Sequence, residues 1–156
     1  MPGYELIDKK EFLAIKKIFD NGGILFAHGF EKIRKNFHVR EFENSTKKFF
    51  KSNYALAVSS GTAAIKIGLK ALGVKKGDEV ITQAFNFIAT IEAILDCGAK
   101  PVLVNVDKTL NMDINELKKK ITKKTKAIIP VHMLGYPCDM NSIKRISREK
   151  KIKILE

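Results

Sequence analysis

The residues best suited to chemistry are a run of small and hydroxylated residues, Ser59, Ser60, Gly61 and Thr62. They follow a short apolar run, residues 54–58, that predicts a buried strand, and they precede apolar residues at helical spacing. A turn from a strand into a helix is therefore expected. Its unpaired amides and the positive end of the helix dipole suit the binding of a phosphate. An ordinary N-capped helix has the same signature. The turn matches neither a Walker loop nor a Gly-x-Gly-x-x-Gly fingerprint, which argues against NTP and NAD.

Two further positions suit the recognition of a planar ring. Phe85 and Phe87 follow the next predicted strand, where an aromatic side chain can stack on a ring whose phosphate is held by the turn. A pyridine phosphate has this shape. The alternative is that both phenylalanines belong to the core. His132 follows a later strand and is either a hydrogen-bonding group for a cofactor or substrate, or a buried histidine with internal partners.

The elements that must position these residues alternate between strands and helices from residue 54 onward. The predicted strands are 54–58, 79–82, 101–106, 126–131 and 153–155, and the predicted helices begin near residues 62, 89, 113 and 139. Such a repeat indicates an α/β fold in which a mostly parallel sheet is layered between helices, α-β-α. Ligands of such sheets bind beyond the carboxyl ends of the strands. That edge is expected to carry residues 59–62, residues 83–87, Asp107 and His132.

The N-terminal part of the chain has a different character. Residues 1–40 are predicted to form a helix followed by a substrate or dimer loop, and residues 41–156 to belong to the larger α/β domain. The irregular residues 24–38 are rich in His, Arg and aromatic side chains. This composition is typical of a substrate loop and equally of an arm that contacts a partner.

Two helices are predicted in this part of the chain. Asp8 and Glu11 have the spacing of a capping box, and the helix that they begin ends before Gly22 and Gly23. A second helix is predicted at residues 39–51. Its inward-facing side chains are expected to be Val39, Phe42, Phe49 and Phe50.

Composition excludes several classes of protein. With 156 residues, 45% of them apolar, the chain is long enough to bury a core. It contains neither a signal peptide nor an apolar run of membrane-spanning length, so a soluble, cytoplasmic protein without a membrane partner is expected. The net charge of +12 comes mostly from lysines on predicted helix faces, without the arginines and aromatics that nucleic-acid readers use. Cys97 and Cys138 lack the spacing of a disulfide framework or a metal site.

Several stretches, taken in order and spacing, resemble the DegT/DnrJ/EryC1/StrS family of sugar aminotransferases. They are residues 59–64, 77–82, 85–90, 98–102, 125–132 and 135–140. The resemblance implies the large domain of the aspartate-aminotransferase fold, with pyridoxal 5'-phosphate (PLP) as the cofactor. It also implies a homodimer with active sites at the interface. The implied reaction moves an amino group, commonly from glutamate, to a keto sugar attached to a nucleotide.

The resemblance also implies roles for individual residues. The cofactor phosphate is expected among Ser60, Gly61, Thr62 and Ala63, with Phe87 stacked on the pyridine ring. The candidate substrate residues are His132, His28 and Arg40. His132 lies at the rim of the implied site. The other two belong to the segment 22–40, which departs from typical nucleotide-sugar members, and arginine suits an acidic keto sugar.

The resemblance implies that two catalytic residues follow Glu156. One is an Asp that pairs with the pyridine nitrogen, and the other is the Schiff-base lysine. No catalytic residue is therefore assigned within this chain, which is expected to be an inactive N-terminal fragment, incomplete at its C-terminal end. Three functions stay open. They are an aminotransferase of amino-sugar or surface-polysaccharide biosynthesis, a PLP-dependent sugar dehydratase of the same family, in which histidine replaces that lysine, and a non-catalytic binding or interaction domain.

Overall fold

A computed structural model describes residues 3–156. The chain divides into two compact units, Met1–Ala57 and Val58–Glu156. The domain boundary predicted between residues 40 and 41 stays a prediction. Met1 and Pro2, which begin the segment judged not to be a signal peptide, lie outside the described residues. Across residues 3–156, no helix has both the length and the apolar content to cross a bilayer.

The first unit contains two α-helices, α1 (Lys9–Asp20) and α2 (His38–Phe50). The predicted capping box of α1 is confirmed. The Asp8 carboxylate accepts the amide of Lys10 at 2.7 Å, and the Glu11 carboxylate accepts the amide of Asp8 at 2.8 Å. After α1, Gly22 and Gly23 have φ values of +100° and +67°, which glycine adopts without strain and which end the helix.

The prediction that α2 directs its phenylalanines inward is wrong. Phe42, Phe49 and Phe50 are 63%, 81% and 71% exposed. The buried residue of α2 is Glu43, whose carboxylate accepts the Ala57 amide at 2.9 Å. Helical spacing identified an apolar face, but spacing does not determine what covers that face.

The second unit contains a sheet with helices between its strands. In chain order the elements are α3 (Gly61–Ala71), β1 (Glu79–Gln83), α4 (Ala89–Asp96), β2 (Lys100–Val104), α5 (Ile114–Lys120), β3 (Thr125–Ile129), α6 (Met140–Lys150) and β4 (Lys153–Ile154). The strand order is β2-β1-β3-β4, and all three pairings are parallel. All four carboxyl ends therefore lie at one edge of the sheet.

Helices cover both faces of this sheet. Val80 belongs to an apolar cluster with Leu69 of α3 and Ile94 of α4. Its neighbour Ile81 belongs to a second cluster, with Leu117 of α5 and residues of α6. Successive residues of a strand point to opposite faces, so α3 and α4 cover one face and α5 and α6 the other. The predicted α-β-α fold with a parallel sheet is confirmed.

The prediction of a strand at residues 54–58 is wrong. These residues are irregular, and no strand within the described residues pairs with them. A strand needs a neighbour for its ladder hydrogen bonds, whereas here the Ala57 amide donates to a side chain. Tyr54 and Leu56 are exposed, so the apolar run does not correspond to a buried segment.

Two other strands end two residues earlier than predicted, at Val104 and Ile129, and β4 ends one residue earlier than predicted. Beyond Val104, Val106 forms only an isolated antiparallel bridge with Met112. Beyond Ile129, the Val131 amide donates to the side chain of Gln83 at 3.1 Å. In both places the chain leaves the sheet and becomes a loop at its carboxyl edge.

Candidate functional site

The predicted phosphate turn lies at the start of α3. Ser60 is the N-cap, with an extended backbone, and its hydroxyl accepts the Ala63 amide at 3.1 Å. The first amides of a helix have no acceptor within it, so those of Gly61 and Thr62 are left for another partner. The structure thus brings Ser60, Gly61, Thr62 and Ala63 together in one turn whose free groups are hydrogen-bond donors.

Space above this turn is open. A Cβ placed on Gly61 would meet no atom within 4 Å. Gly61 has no positive φ that would require glycine. Its effect is therefore to leave the amides accessible, so that an anion can approach the backbone closely. The donor set and the open space both fit a phosphate.

A cavity of about 350 Å³ lies beside the same helix, at the carboxyl end of β3. Ala64 and Ile65, which directly follow the turn, form one wall, and Thr90 of α4 contributes another. The remaining lining residues are 129–132, Leu155 and Glu156. A largely apolar cavity with a few polar groups suits a planar ring, and two of its lining residues directly follow the turn. No lysine lines the cavity within the described residues.

Phe87 lies in the loop between β1 and α4. The side chains of Phe85 and Phe87 are 53% and 77% exposed, so neither belongs to the core. Asn86 fixes the loop, because its side-chain amide donates to the Gln83 carbonyl at 2.6 Å and to the Thr82 hydroxyl at 3.2 Å. Phe87 therefore follows an anchored residue at the carboxyl end of β1, and its exposed ring has surface available for stacking.

His132 lies where the sequence predicts it, after β3, and it lines the cavity. Its Nδ1 accepts the backbone amide of Cys138 at 3.0 Å, and its Nε2 lies 3.4 Å from the Glu156 carboxylate. His132 therefore has an internal partner at one nitrogen and also lines the cavity. Its hydrogen bond to a cofactor or substrate stays a prediction.

The two other candidate substrate residues belong to the first unit. The Arg40 guanidinium pairs with Glu31 at 2.9 Å, and this hydrogen bond lowers the pKa of the Glu31 carboxyl. His28 Nε2 lies 3.6 Å from the Glu43 carboxylate. Each residue thus already contacts a carboxylate of its own unit. An acidic substrate would have to bind beside that carboxylate or compete with it.

Two buried amide side chains were not assigned a role from the sequence. Gln83 and Asn111 are 0% and 2% exposed, and both hydrogen-bond to the loops at the carboxyl edge. Gln83 falls within the segment selected by its place after a strand, but nothing in the local pattern indicates burial of its amide. Among residues 3–156, no group of three or more His, Cys, Asp or Glu is arranged to hold a metal ion.

Comparison with known proteins identifies the family. Residues 27–156 match the DegT/DnrJ/EryC1/StrS aminotransferase family. The chain belongs to this family. Among its relatives are a GDP-perosamine synthase of Escherichia coli O157:H7 and the spore coat polysaccharide biosynthesis protein SpsC of Bacillus subtilis. The first is 39% identical, over 78% of this chain and 34% of the relative. The second is 36% identical, over 97% of this chain and 37% of the relative. The chain thus spans about a third of the length of the curated relatives that it matches.

Solved structures of other proteins share the fold of this chain. The protein ntda from Bacillus subtilis, solved with the bound cofactor PMP, is 35% identical, with a TM-score of 0.81 over 96% of this chain and 33% of ntda. A GDP-4-keto-6-deoxy-D-mannose-3-dehydratase from E. coli, with bound hydrated PLP, is 34% identical. Its TM-score is 0.80 over 96% of this chain and 38% of the dehydratase. The predicted family and fold are confirmed, and both cofactors in these structures are pyridoxal or pyridoxamine phosphates.

Proposed function

We propose that this chain forms the phosphate-binding part of a PLP-dependent aminotransferase. The proposed reaction transfers an amino group, from glutamate, to a nucleotide-linked keto sugar in amino-sugar or surface-polysaccharide biosynthesis. The observation that carries the proposal is the open turn of Ser60, Gly61, Thr62 and Ala63 beside the cavity at the carboxyl edge of a parallel sheet. Membership of an aminotransferase family and the GDP-perosamine synthase relative support it.

Each proposed binding residue has a distinct task. The Ser60 hydroxyl and the amides of Gly61 and Thr62 hold the phosphate by charge-assisted hydrogen bonds. Phe87 stacks against one face of the ring and so restricts its orientation. The apolar wall that includes Ile65 is proposed to contact the ring. When bound, PLP supplies the electron sink that this reaction needs.

Two further features belong to the proposal. The enzyme is proposed to work as a homodimer in the cytoplasm, with His132, His28 and Arg40 on the substrate side of the site. Size-exclusion chromatography with light scattering measures the oligomeric state. A monomer at micromolar concentration in the presence of PLP would contradict the homodimer.

A sugar dehydratase of the same family is the second candidate. The specific observation in its favour is the E. coli dehydratase, whose identity and TM-score are close to those of ntda. By the family resemblance, the two reactions differ at the position of the Schiff-base lysine, where dehydratases have histidine. No residue of this chain is assigned to that position, so residues 3–156 favour neither reaction.

The test is a titration with PLP followed by borohydride reduction, on the purified chain and on the longest product of its gene. Saturable PLP absorbance together with a reduced lysine adduct supports the aminotransferase. Saturable binding by the longest product without an adduct supports the dehydratase. If neither protein binds PLP, the proposed function is wrong and a non-catalytic interaction domain takes its place.

A further inference from the structure

The loop that carries His132 is held by a buried amide from each of two neighbouring parts of the chain. Gln83, at the end of β1, is completely buried. Its Oε1 accepts the amide of Val131 at 3.1 Å, and its Nε2 donates to the carbonyl of Leu110 at 3.0 Å. Gln83 thus connects the backbone just before His132 to the loop that follows β2.

Asn111 holds the other side of the same loop. Its Oδ1 accepts the amide of Met133 at 3.0 Å, and its Nδ2 donates to the carbonyls of Tyr136 and Pro137 at 3.1 and 3.3 Å. The backbone is therefore bonded to a buried amide on both sides of His132. Buried amides that use both their donors and their acceptors fix a loop in one arrangement.

This arrangement determines which nitrogen of His132 carries the proton. Nδ1 accepts the backbone amide of Cys138 at 3.0 Å, and a nitrogen that accepts a hydrogen bond has no proton of its own. In the neutral ring the proton is therefore on Nε2. That nitrogen lies 3.4 Å from the Glu156 carboxylate, an acceptor, in the wall of the cavity. The ring thus directs a hydrogen-bond donor, and not a base, at this part of the cavity.

We propose that Gln83 and Asn111 are positioning residues that keep Nδ1 of His132 as a hydrogen-bond acceptor for the loop, so that its Nε2–H is directed at an oxygen acceptor of the bound ligand. The ligand is a phosphorylated cofactor or the substrate beside it, and the shared chemistry is an oxygen atom with a free lone pair. This assignment rests on the proposed function, because it places a ligand in the cavity. It gives His132 the role of a donor and excludes Nε2 of the neutral ring as a proton acceptor.

NMR of the protein labelled with ¹⁵N-histidine tests the tautomer without any cofactor. The resonances of His132 are assigned by their loss in the His132→Gln variant. We expect Nε2 to be protonated and Nδ1 to be unprotonated at a pH where the ring is neutral. A proton on Nδ1, or a rapidly averaged mixture of both tautomers, would overturn the proposal.

Two variants test the positioning. Gln83→Glu and Asn111→Asp keep the oxygen that accepts from the loop but lose the donor to the carbonyls. Each is expected to shift the two nitrogen resonances of His132 towards a tautomeric mixture. Asn115→Asp is the matched control, because Asn115 is exposed on α5 and far in sequence from the loop. Native spectra with unchanged His132 resonances in both variants would show that these amides do not position the ring.

A pair of substitutions at His132 itself tests the donor without disturbing the buried amides. The amide nitrogen of His132→Gln can take the place of Nε2, whereas that of His132→Asn lies nearer to Nδ1. We expect His132→Gln to retain ligand affinity and His132→Asn to lose about fivefold, the worth of one hydrogen bond. If His132→Asn loses affinity for PLP alone, the cofactor carries the acceptor. If it loses affinity only for glutamate, measured with PLP present, the substrate carries the acceptor.

Equal losses in both His132 variants would refute the donor role. Wild-type protein that binds no PLP would refute the proposed function and the donor role together. In that case the NMR result still decides whether Gln83 and Asn111 position the ring, so the two failures are distinguishable.

Discussion

Replacing Gly61 with aspartate separates the stability of α3 from the affinity of its first turn. A Cβ at this position enters open space, so the substitution adds a carboxylate without a steric clash at Cβ. The first turn of α3 contains no acidic residue. A negative charge near the N-terminus of a helix is favourable by about 0.3–1 kcal/mol. We therefore expect the melting temperature to stay the same or to rise slightly.

The same carboxylate opposes a phosphate at this turn. Two unit charges about 4 Å apart repel by about 1 kcal/mol in bulk water and by about 4 kcal/mol at the effective dielectric of a protein surface. Gly61→Asp is therefore expected to weaken PLP binding by at least about fivefold and by up to about a thousandfold. Absorbance titration measures the affinity, and differential scanning fluorimetry of the same sample measures the stability.

The matched control is Asn141→Asp. Asn141 is exposed in the first turn of α6, which also lacks an acidic residue, so this variant makes the same kind of change at a helix far from the turn in sequence. It is expected to leave PLP affinity unchanged. Wild-type affinity in Gly61→Asp would refute the reasoning, and so would a fall in melting temperature large enough to explain the lost binding by unfolding.

Three further predictions concern stability and reactivity. Gly98→Ala is expected to cost about 1–2 kcal/mol in urea unfolding, because Gly98 has a φ of +74° and its Cβ would lie 3.3 Å from the Cα of Lys76. Hydrogen bonds from Ser142 lower the pKa of the Asp139 carboxyl. The carboxylate therefore contributes its full stabilisation at pH values above the ordinary pKa of an Asp, and this stabilisation is lost as the pH falls through the lowered pKa. Asp139→Asn should remove that part of the acid-induced loss of stability, and melting temperatures recorded over a range of pH measure it. Burial raises the pKa of the Cys138 thiol, so it should react with a thiol reagent only after unfolding, and rapid labelling of the native protein at neutral pH would contradict this.

The helices and the central strands follow from short-range patterns. The α4 helix begins at the predicted residue, Ala89, and Ser60 caps α3 within the predicted turn. Capping residues and apolar periodicity act within a few residues, so one sequence is enough to find them. Residues 54–58 were mispredicted because a strand exists only with a hydrogen-bonded neighbour, and the run itself carries no information about that neighbour.

The candidate site also has a part that the sequence predicts and a part that it does not. Sequence position after β3 selected His132, because parallel strands bring their carboxyl ends to one edge. The turn was selected as the end of a strand at residues 54–58 that the structure does not contain, and it is present because Ser60 caps α3. The orientation of His132 and the nitrogen that accepts a hydrogen bond depend on the Cys138 amide, which the loop brings back to the ring. The buried hydrogen bonds of Asn111 join residues 22 to 26 positions apart. Such contacts arise from the folded loop and have no short-range signature.

The most direct test of the central claim compares the affinity of the protein for PLP with that for pyridoxal, which has the same ring and no phosphate. If the turn at Ser60, Gly61, Thr62 and Ala63 holds the phosphate, PLP should bind at least about tenfold more tightly, since hydrogen bonds to a charged group are worth about 1.5–3 kcal/mol. Inorganic phosphate should then compete with PLP. Equal affinities for PLP and pyridoxal would contradict the account, because the turn would then contribute nothing to cofactor binding.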